Sequence, residues 1–377
     1  MKKKVIIIGL LPLNKMYKER LLMDIFDGKN IDYEYWSTYY IFYKAEPVIY
    51  NRIIQKNEKV FRNIEDIQKE ARKLSQETIV ILEGDFKELL YLKIILLKRK
   101  IKFYEIVWGR TPNLSTKYNL KQKLKKLLNI KKVIEHFKYL ILKNYYHKLF
   151  EVKESTYTLL FAGFKSLNNR KVKSISIMSE DYEKYFIAKE RIKGKKQAVF
   201  LDQNLPNHPD FKILKEKTID SKQYYLNLNK FFTEIEKKFE MEVVIAAHPK
   251  TNYDKKIFNN RKIIKFNTAE EVKNSSLIIS SYSTTIGLGT IENKPIILIK
   301  TSDFSEIMNE KVKILKDKLE LELIDISKKY TLHKIPNINE EKYRKYCSDY
   351  LYFDKFNKPI SLKKFILTIL NNEEETR

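Results

Sequence analysis

The sequence predicts an α/β protein made of two doubly wound, Rossmann-like domains that face each other across a crevice. Apolar runs of strand length alternate with segments of helical periodicity along almost the whole chain, which indicates βαβ units and parallel sheets. The alternation restarts near Gly194, and 377 residues are enough for two domains of ordinary size. We therefore expect helices on both faces of each sheet and ligands at the carboxyl ends of the strands.

The first series of elements predicts a domain over residues 1–192. Its opening run, Val5–Gly9, is short and β-branched and leads into a polar helical pattern, as a first core strand does. The predicted strands are Val5–Gly9, Ile31–Ser37, Ile79–Glu83, Ile101–Trp108, Tyr157–Gly163 and Ser174–Met178. The predicted helices are Tyr17–Phe26, Val60–Leu74 and Phe86–Arg99, followed by a basic helical stretch.

The second series predicts a domain over residues 193–377. The boundary falls in the charged stretch Lys189–Lys196, and the last helix is placed either on this domain or back on the first. The predicted strands are Ala198–Leu201, Glu242–Ala246, Lys262–Phe266, Leu277–Ser280 and Pro295–Ile299. The predicted helices are Lys222–Phe239, Thr268–Lys273, Thr284–Glu292, Phe304–Leu319, Glu340–Tyr350 and Leu362–Leu370.

The net charge of +26 is concentrated in part between Lys117 and Lys148, where ten lysines accompany one acid, Glu135. Leucine, isoleucine and aromatic residues are interleaved with these lysines at helical spacing, so the stretch is basic and amphipathic. Such a surface attracts anionic lipid at about 1 kcal/mol per lysine near the membrane, and nucleic acid by the same charge. A lysine-rich composition throughout the chain is the alternative explanation of the charge.

Several kinds of segment and site are disfavoured by the sequence. The first apolar run is too short for a secretory signal, and no stretch approaches the ~20 apolar residues of a membrane span. The single cysteine, Cys347, excludes a disulfide within the chain and a multi-cysteine metal site. We expect a cytoplasmic protein, peripheral at the inner face of the cell membrane through Lys117–Lys148.

A His-Pro-Lys sequence follows the predicted strand Glu242–Ala246 after one alanine. Because a proline ends a strand and stiffens the turn, it holds the side chain of His248 at the rim of the crevice. An imidazole there can donate to a phosphate, and Lys250 after Pro249 adds charge. The alternative interpretation is a turn histidine without a ligand.

Five hydroxyl residues follow or end the predicted strand Leu277–Ser280, just before a predicted helix. They are Ser280, Ser281, Ser283, Thr284 and Thr285. Hydroxyls and the free N–H groups at a helix start are donors suited to an anion. A helix N-cap is the alternative, although one serine is enough for a cap.

The pair His248-Pro249 and Ser280-Ser281 resembles motifs of bacterial GT-B sialyltransferases and the related Kdo and capsule transferases. The resemblance covers about Ala198 to Lys300 and implies a GT-B fold with the nucleotide sugar in the second domain. It implies that His248, Ser280 and Ser281 hold the phosphate of a CMP-activated sugar, with Ser283 and Thr284 nearby. The short motifs also fit glycerophosphate polymerases of teichoic-acid type.

An inverting transfer needs a general base, which removes the proton of the acceptor hydroxyl. The sequence has no clean copy of the acidic pair those sialyltransferases carry, so three strand ends supply candidates. We favour Asp181, with Glu180 and Asp202 next, and Glu83 before Gly84-Asp85 as an acceptor-side group. An acid that merely caps a helix start is the alternative for each.

The segment from Phe200 to Asp210 opens the second domain and is rich in groups that can bind a sugar. Gln203 and Asn204 follow the strand end directly, where the first loop of a doubly wound domain commonly faces a phosphate. We expect both to contact the acceptor or the loop around the ligand. A loop stiffened by its prolines is the alternative. No Asp-x-Asp follows a strand, so we expect no metal and no cofactor.

These observations together predict a metal-independent, inverting glycosyltransferase. It moves a nonulosonic or Kdo-like acid from a CMP donor to a surface glycan, such as capsule or lipopolysaccharide, on a lipid carrier. The first domain receives the acceptor. A glycerophosphotransferase of teichoic-acid type and a UDP-sugar epimerase are alternatives on the same fold. A nucleic-acid-binding protein is a remote alternative, because known nucleic-acid motifs are missing and we expect no nucleic acid partner.

Overall fold

The structure is a computed structural model. It describes residues 4–43, 52–84, 89–108, 112, 138–146, 148, 156–167, 172–189, 196–207, 219–249, 251, 253–355 and 359–371. Two parallel sheets organise these residues, and the predicted α/β architecture with two doubly wound domains is confirmed.

The first sheet has seven parallel strands in the order β3-β2-β1-β4-β5-β6-β7. The strands are β1 Lys4–Gly9, β2 Asp32–Ser37, β3 Glu58–Val60, β4 Ile79–Glu83, β5 Lys102–Val107, β6 Tyr157–Phe161 and β7 Ser174–Ser176. The helices are α1 Lys15–Arg20, α2 Met23–Gly28, α3 Tyr39–Phe42, α4 Ile64–Ala71, α5 Leu90–Lys98, α6 over residues 138–146, α7 Phe164–Leu167 and α8 Glu180–Ile187.

The second sheet has six parallel strands in the order β10-β9-β8-β11-β12-β13. The strands are β8 Gln197–Leu201, β9 Glu242–Ala246, β10 Ile263–Ile264, β11 Leu277–Ser280, β12 Ile296–Lys300 and β13 Glu322–Asp325. The helices are α9 Ser221–Phe239, α10 Thr268–Asn274, α11 Ile286–Ile291, α12 Glu306–Leu319, α13 Glu340–Tyr350 and α14 Leu362–Leu370.

Both faces of the first sheet are covered, which explains its continuous apolar strands. Ile6 and Ile8 of β1 belong to one apolar cluster, whereas Val5 and Ile7 belong to another. Because successive side chains of a strand point to opposite faces, these two clusters lie on opposite sides of the sheet. The central strands are therefore fixed by burial on both faces.

The last helix, α14, packs on the first sheet although it follows the second sheet in the chain. Its apolar residues Leu362, Phe365 and Ile366 are buried in the cluster that contains Val5. The ring of Phe365 meets the ring of Tyr104 edge to face, with centroids 5.0 Å apart. The chain end thus stabilises the domain in which the chain begins.

Several predicted boundaries differ from the structure, mainly at the outer strands. The predicted helix Val60–Leu74 begins only at Ile64, because residues Glu58–Val60 form the edge strand β3. The predicted helix Tyr17–Phe26 is split into α1 and α2 at Leu22, which adopts a left-handed backbone with φ 55°. Strand β13 was missed altogether, since its sequence Glu-Leu-Ile-Asp offers no continuous apolar run.

Helix α8 connects the two domains. It begins just after β7 of the first sheet and packs against α10 and α11 of the second domain. An eight-residue helix is about 12 Å long. The carboxyl end of β7 therefore lies within about that distance of the second domain. Among the helices of the described residues, none is long and apolar enough to cross a membrane.

Candidate functional site

The carboxyl ends of three neighbouring strands surround an open cavity in the second domain. Leu201 of β8 pairs in register with Ala246 of β9 and with Ser280 of β11, so the three strands end side by side. The cavity has a volume of about 320 Å³. It is lined by Leu201, Asp202, Gln203, Ala246, Ala247, His248, Pro249, Thr268, Ser283, Thr284 and Thr285.

His248 and Pro249 stand at the rim of this cavity, where the sequence placed them. The carbonyl of His248 accepts hydrogen bonds from the N–H (3.0 Å) and the hydroxyl (2.7 Å) of Thr251, which closes the turn after β9. The side chain of His248 is half-buried and Pro249 is exposed. The predicted partner Lys250 lies outside the described residues.

Asp202 is buried at the end of β8, and its carboxylate is engaged within the protein. One oxygen accepts from the N–H of Asn204 at 2.9 Å. The other accepts from the hydroxyl of Tyr253 at 2.8 Å and from the N–H of His248 at 3.3 Å. Burial raises the pKa of Asp202, while these donors act against that rise. The carboxylate therefore joins the loops that follow β8 and β9, and its predicted role as a general base stays a prediction.

Gln203 and Asn204 shape the loop between the strand ends. The side-chain carbonyl of Gln203 accepts from the N–H of Tyr282 at 3.0 Å and ties the loop after β8 to the loop after β11. Asn204 has a left-handed backbone with φ 51°, a conformation that asparagine tolerates better than most residues. Gln203 lines the cavity, and Asn204 supports the turn.

The predicted phosphate-binding hydroxyls divide into two groups in the structure. Ser283 and Thr284, with Thr285, line the cavity, and the hydroxyls of Ser283 and Thr285 lie 2.8 Å apart. Ser280 and Ser281 are 0% and 2% exposed, and neither lines the cavity. Their hydroxyl oxygens have no hydrogen-bond partner among the described residues.

At the carboxyl ends of the strands of the first sheet, Arg20, Glu83 and Trp108 form a cluster of interacting side chains. Oε1 of Glu83, at the end of β4, lies 3.0 Å from Nη1 of Arg20 and accepts from the indole N–H of Trp108 at 3.1 Å. The guanidinium of Arg20 also stacks on the Trp108 ring, 4.3 Å from its centroid. Burial raises the pKa of Glu83, and the charge of Arg20 opposes this rise.

Glu180 and Asp181 form the first turn of α8, next to this group. Oε2 of Glu180 lies 3.3 Å from Nε of Arg20, so one guanidinium serves both Glu83 and Glu180. Burial and the charge of Glu180 raise the pKa of Asp181 to about 6, while Lys184 and Arg20 act in the opposite direction. A carboxylate with this pKa is suited to accept a proton near neutral pH.

Sequence reasoning missed Arg20, Trp108 and Tyr253, although each contacts a predicted acid. None of them lies in a motif, and their roles depend on which strand ends the topology brings together. A tyrosine five residues after His248 was the only available signal for Tyr253, and it is a weak one. Within the described residues, no group of three or more His, Cys, Asp or Glu side chains is arranged to hold a metal ion.

The basic stretch is described only in part, at residues 138–146 and 148. In α6, Tyr139, Leu142 and Tyr146 pack toward the core of the first domain. On the outer face, Ile141 is 68% exposed and Tyr145 is 44% exposed. Lys138, Lys143 and Lys148 are exposed beside them. The remainder of Lys117–Lys148 lies outside the described residues.

Neither a protein-family model nor a curated protein sequence matches this chain. Several solved structures are similar to it in fold. MurG from Acinetobacter baumannii is 9% identical, with a TM-score of 0.45 and 100% of both chains covered. CalG4, the calicheamicin glycosyltransferase, is 10% identical, with a TM-score of 0.44 and 86% of each chain covered. The UDP-GlcNAc 2-epimerase from Methanocaldococcus jannaschii is 14% identical, with a TM-score of 0.39 over 98% of this chain and 100% of that chain.

Proposed function

We propose that this protein is a glycosyltransferase that binds a nucleotide sugar in the cavity of the second domain. The observation that carries the proposal is the convergence of three strand ends on one cavity lined by His248, Ser283, Thr284 and Thr285. An imidazole and three hydroxyls are donors suited to phosphate oxygens. Ligands of doubly wound domains bind at this edge of the sheet.

The donor we propose is a CMP-linked acidic sugar of the nonulosonic or Kdo type, and the acceptor is a surface glycan. Support comes from the resemblance of His248-Pro249 and Ser280-Ser281 to the motifs of transferases that use such donors. The positive net charge of +26 also suits an acidic sugar and an anionic lipid-linked acceptor. We propose that the transfer needs no metal.

Asp181 is the general base in this proposal. Its carboxylate takes the proton of the acceptor hydroxyl while the hydroxyl oxygen forms a bond to the anomeric carbon. The bond from that carbon to the phosphate oxygen breaks, and the nucleotide leaves with the electron pair. His248 donates to the phosphate and stabilises the charge that develops on it. Attack from the face opposite the phosphate inverts the anomeric carbon.

A nucleotide panel in a thermal-shift assay tests the donor site. We expect CMP to raise the Tm of the wild-type protein more than CDP, UDP or GDP does. The variant His248→Ala should lose most of this shift, whereas the control His333→Ala, an exposed histidine far along the chain, should keep it. A larger shift with UDP would overturn the CMP donor. No shift with any nucleotide would overturn the transferase.

We also propose that α6 contacts an anionic membrane surface. Its outer face carries Ile141 and Tyr145 among exposed lysines, while its inner face already packs on the core. Vesicles of phosphatidylglycerol and phosphatidylcholine should co-sediment the protein, and Ile141→Asp should weaken this binding. The matched control is Ile54→Asp, at an 87% exposed position of the same domain. Equal binding by both variants and the wild type would contradict the proposal.

A further inference from the structure

We infer that Arg20 is a positioning residue of the acceptor side, which anchors the first turn of α8 and so places the carboxylate of Asp181. The inference rests on the proposed function, in which Asp181 takes the acceptor proton. Arg20 ends α1, near the start of the chain, and is 160 residues before Glu180. Its role therefore depends on the folded chain and on no local motif.

The geometry around Arg20 supports an anchor. Its Nη1 lies 3.0 Å from Glu83, at the end of β4, and its Nε lies 3.3 Å from Glu180, the first residue of α8. The central carbon of the guanidinium lies over the ring of Trp108, which follows β5, 4.3 Å from its centroid. Two strand ends and one helix start are thus joined by a single side chain. A planar guanidinium presents N–H donors in a fixed fork and can lie flat on a ring, and a lysine ammonium does not reproduce that geometry.

Burial makes this arrangement stiff. The side chain of Glu83 is only 6% exposed and that of Arg20 only 21%. Oε1 of Glu83 is held by Arg20 and by the indole N–H of Trp108. If the Arg20 side chain moved away, it would leave the buried carboxylate of Glu83 without this positive charge, which is costly. Glu83 therefore holds Arg20 in place. Arg20 in turn pairs with Oε2 of Glu180, whose other oxygen accepts from Lys184 of the same helix at 2.6 Å.

Because Glu180 and Asp181 belong to the first turn of α8, the contact of Arg20 with Glu180 also restrains Asp181. Asp181 follows Glu180 directly, and the N-cap Ser179 accepts from the N–H of Tyr182 at 3.2 Å. The other end of α8 packs against the second domain, where Nζ of Lys273 in α10 donates to the carbonyl of Ala188 at 3.0 Å. The position of the first turn therefore determines where Asp181 stands relative to the donor site.

Two variants of Arg20 test the inference in the full-length protein. Arg20→Lys keeps the positive charge but removes the planar fork whose separate nitrogens reach Glu83 and Glu180. The double variant Arg20→Met with Glu83→Gln removes both charges, so that no buried carboxylate is left unpaired. The matched control is Arg52→Lys, because Arg52 also joins a carboxylate, Glu58, to a backbone carbonyl of the first domain.

Amide hydrogen exchange of residues 180–187 is the first readout. We expect exchange there to rise about tenfold in both Arg20 variants, because the ion pair between Arg20 and Glu180 is lost or weakened. Exchange of the central strands should stay unchanged, and Arg52→Lys should leave α8 as in the wild type. Unchanged exchange of α8 in both Arg20 variants would overturn the inference.

Turnover and nucleotide binding give the second readout and separate this inference from the proposed function. With CMP as the probe, nucleotide affinity should be the same in the Arg20 variants and the wild type, while the turnover of the transferase falls about tenfold or more. Arg20→Lys turning over at the wild-type rate would contradict the positioning role. If no nucleotide binds the wild type, the proposed function fails, and the exchange of α8 still decides whether Arg20 is the anchor.

Discussion

The main-chain N–H of His248 donates to the carboxylate of Asp202 across 3.3 Å and joins the end of β9 to the end of β8. The same carboxylate oxygen accepts from Tyr253, which follows in the loop after His248. One buried acid thus holds both ends of the turn that presents the imidazole. The loop keeps its form because Asp202 has internal partners, so Asp202 supports the wall of the proposed donor site.

Asp202→Asn should weaken nucleotide binding about tenfold. An amide nitrogen in place of Oδ2 would face the N–H of His248 and the hydroxyl of Tyr253, which are both donors, and a charged hydrogen bond would be lost. Isothermal titration with CMP measures this change. The matched control is Asp254→Asn in the same loop, where the acid caps only the N–H of Lys256. Equal losses in the two variants would contradict a specific link between Asp202 and His248.

Asp181 predicts a defined pH dependence of activity. Its pKa is raised to about 6, so the proposed base is protonated below that value and cannot take a proton. Turnover should therefore fall about tenfold for each pH unit below about 6, following the proton occupancy of one group. The groups that face it are Glu180, Lys184, Arg20 and Tyr346. A flat rate profile between pH 5 and 7 would count against Asp181 as the base.

Replacing Asp181 by asparagine should stabilise the protein at neutral pH. The folded state raises the pKa of this carboxyl from 3.8 to about 6, so folding disfavours its ionised form. The penalty is absent below about pH 4, grows between pH 4 and 6 and is constant above. The Tm difference between Asp181→Asn and wild type should follow that course. Asp317→Asn, at an exposed position of α12, is the control and should show no such course.

Substitution of Gly163 should cause a large loss of stability. Its φ of +75° is left-handed, and an added Cβ would lie 2.6 Å from backbone atoms of Tyr350 in α13. Because α13 belongs to the second domain and Gly163 to the first, the glycine permits a close contact between them. Gly163→Ala should cost about 2 kcal/mol or more of unfolding free energy in chemical denaturation. Gly28→Ala, where an added Cβ meets nothing within 4 Å, should cost little.

A buried ion pair beneath the first sheet supplies a further prediction. Nζ of Lys93 lies 2.8 Å from Oε2 of Glu105, which also accepts from the hydroxyl of Tyr157 at 2.7 Å. Lys93→Met removes the ammonium that lies 2.8 Å from a fully buried carboxylate and should cost about 3–5 kcal/mol. Adding Glu105→Gln should recover most of this loss in urea denaturation. A double variant as unstable as Lys93→Met would contradict the pairing.

The central strands could be predicted from the sequence, whereas the edges and the side-chain contacts could not. Strand β4 is buried on both faces and is a continuous apolar run, so its pattern is unambiguous. Strand β13 has one neighbour and mixes acids with apolar residues, so no period marks it. His248 could be predicted to lie at the end of β9 because a strand and a proline flank it. Arg20 was not, since its partners are 63 and 160 residues away in the chain.

The serines after β11 also show that side-chain placement could not be predicted from the sequence. The sequence indicated a dense run of hydroxyls after β11 but gave no means of separating the buried members from those at the surface. Ser280 ends the strand and points into packed protein, while Thr284 lies exposed on the cavity wall. Which hydroxyl faces the cavity depends on how the loop turns after Ser281. That turn is set in part by Gln203, whose side chain holds the N–H of Tyr282.

Isothermal titration of CMP into a cavity-filling variant tests the central claim most directly. Thr284→Tyr adds a large side chain to the cavity wall at an exposed position, so the core and the Tm should be unaffected. The control is Thr331→Tyr, also exposed and outside the cavity lining. We predict that Thr284→Tyr binds CMP at least about 100-fold more weakly than the wild type, a loss of about 2.7 kcal/mol, and that Thr331→Tyr binds normally. Wild-type affinity in Thr284→Tyr would show that the nucleotide does not occupy this cavity.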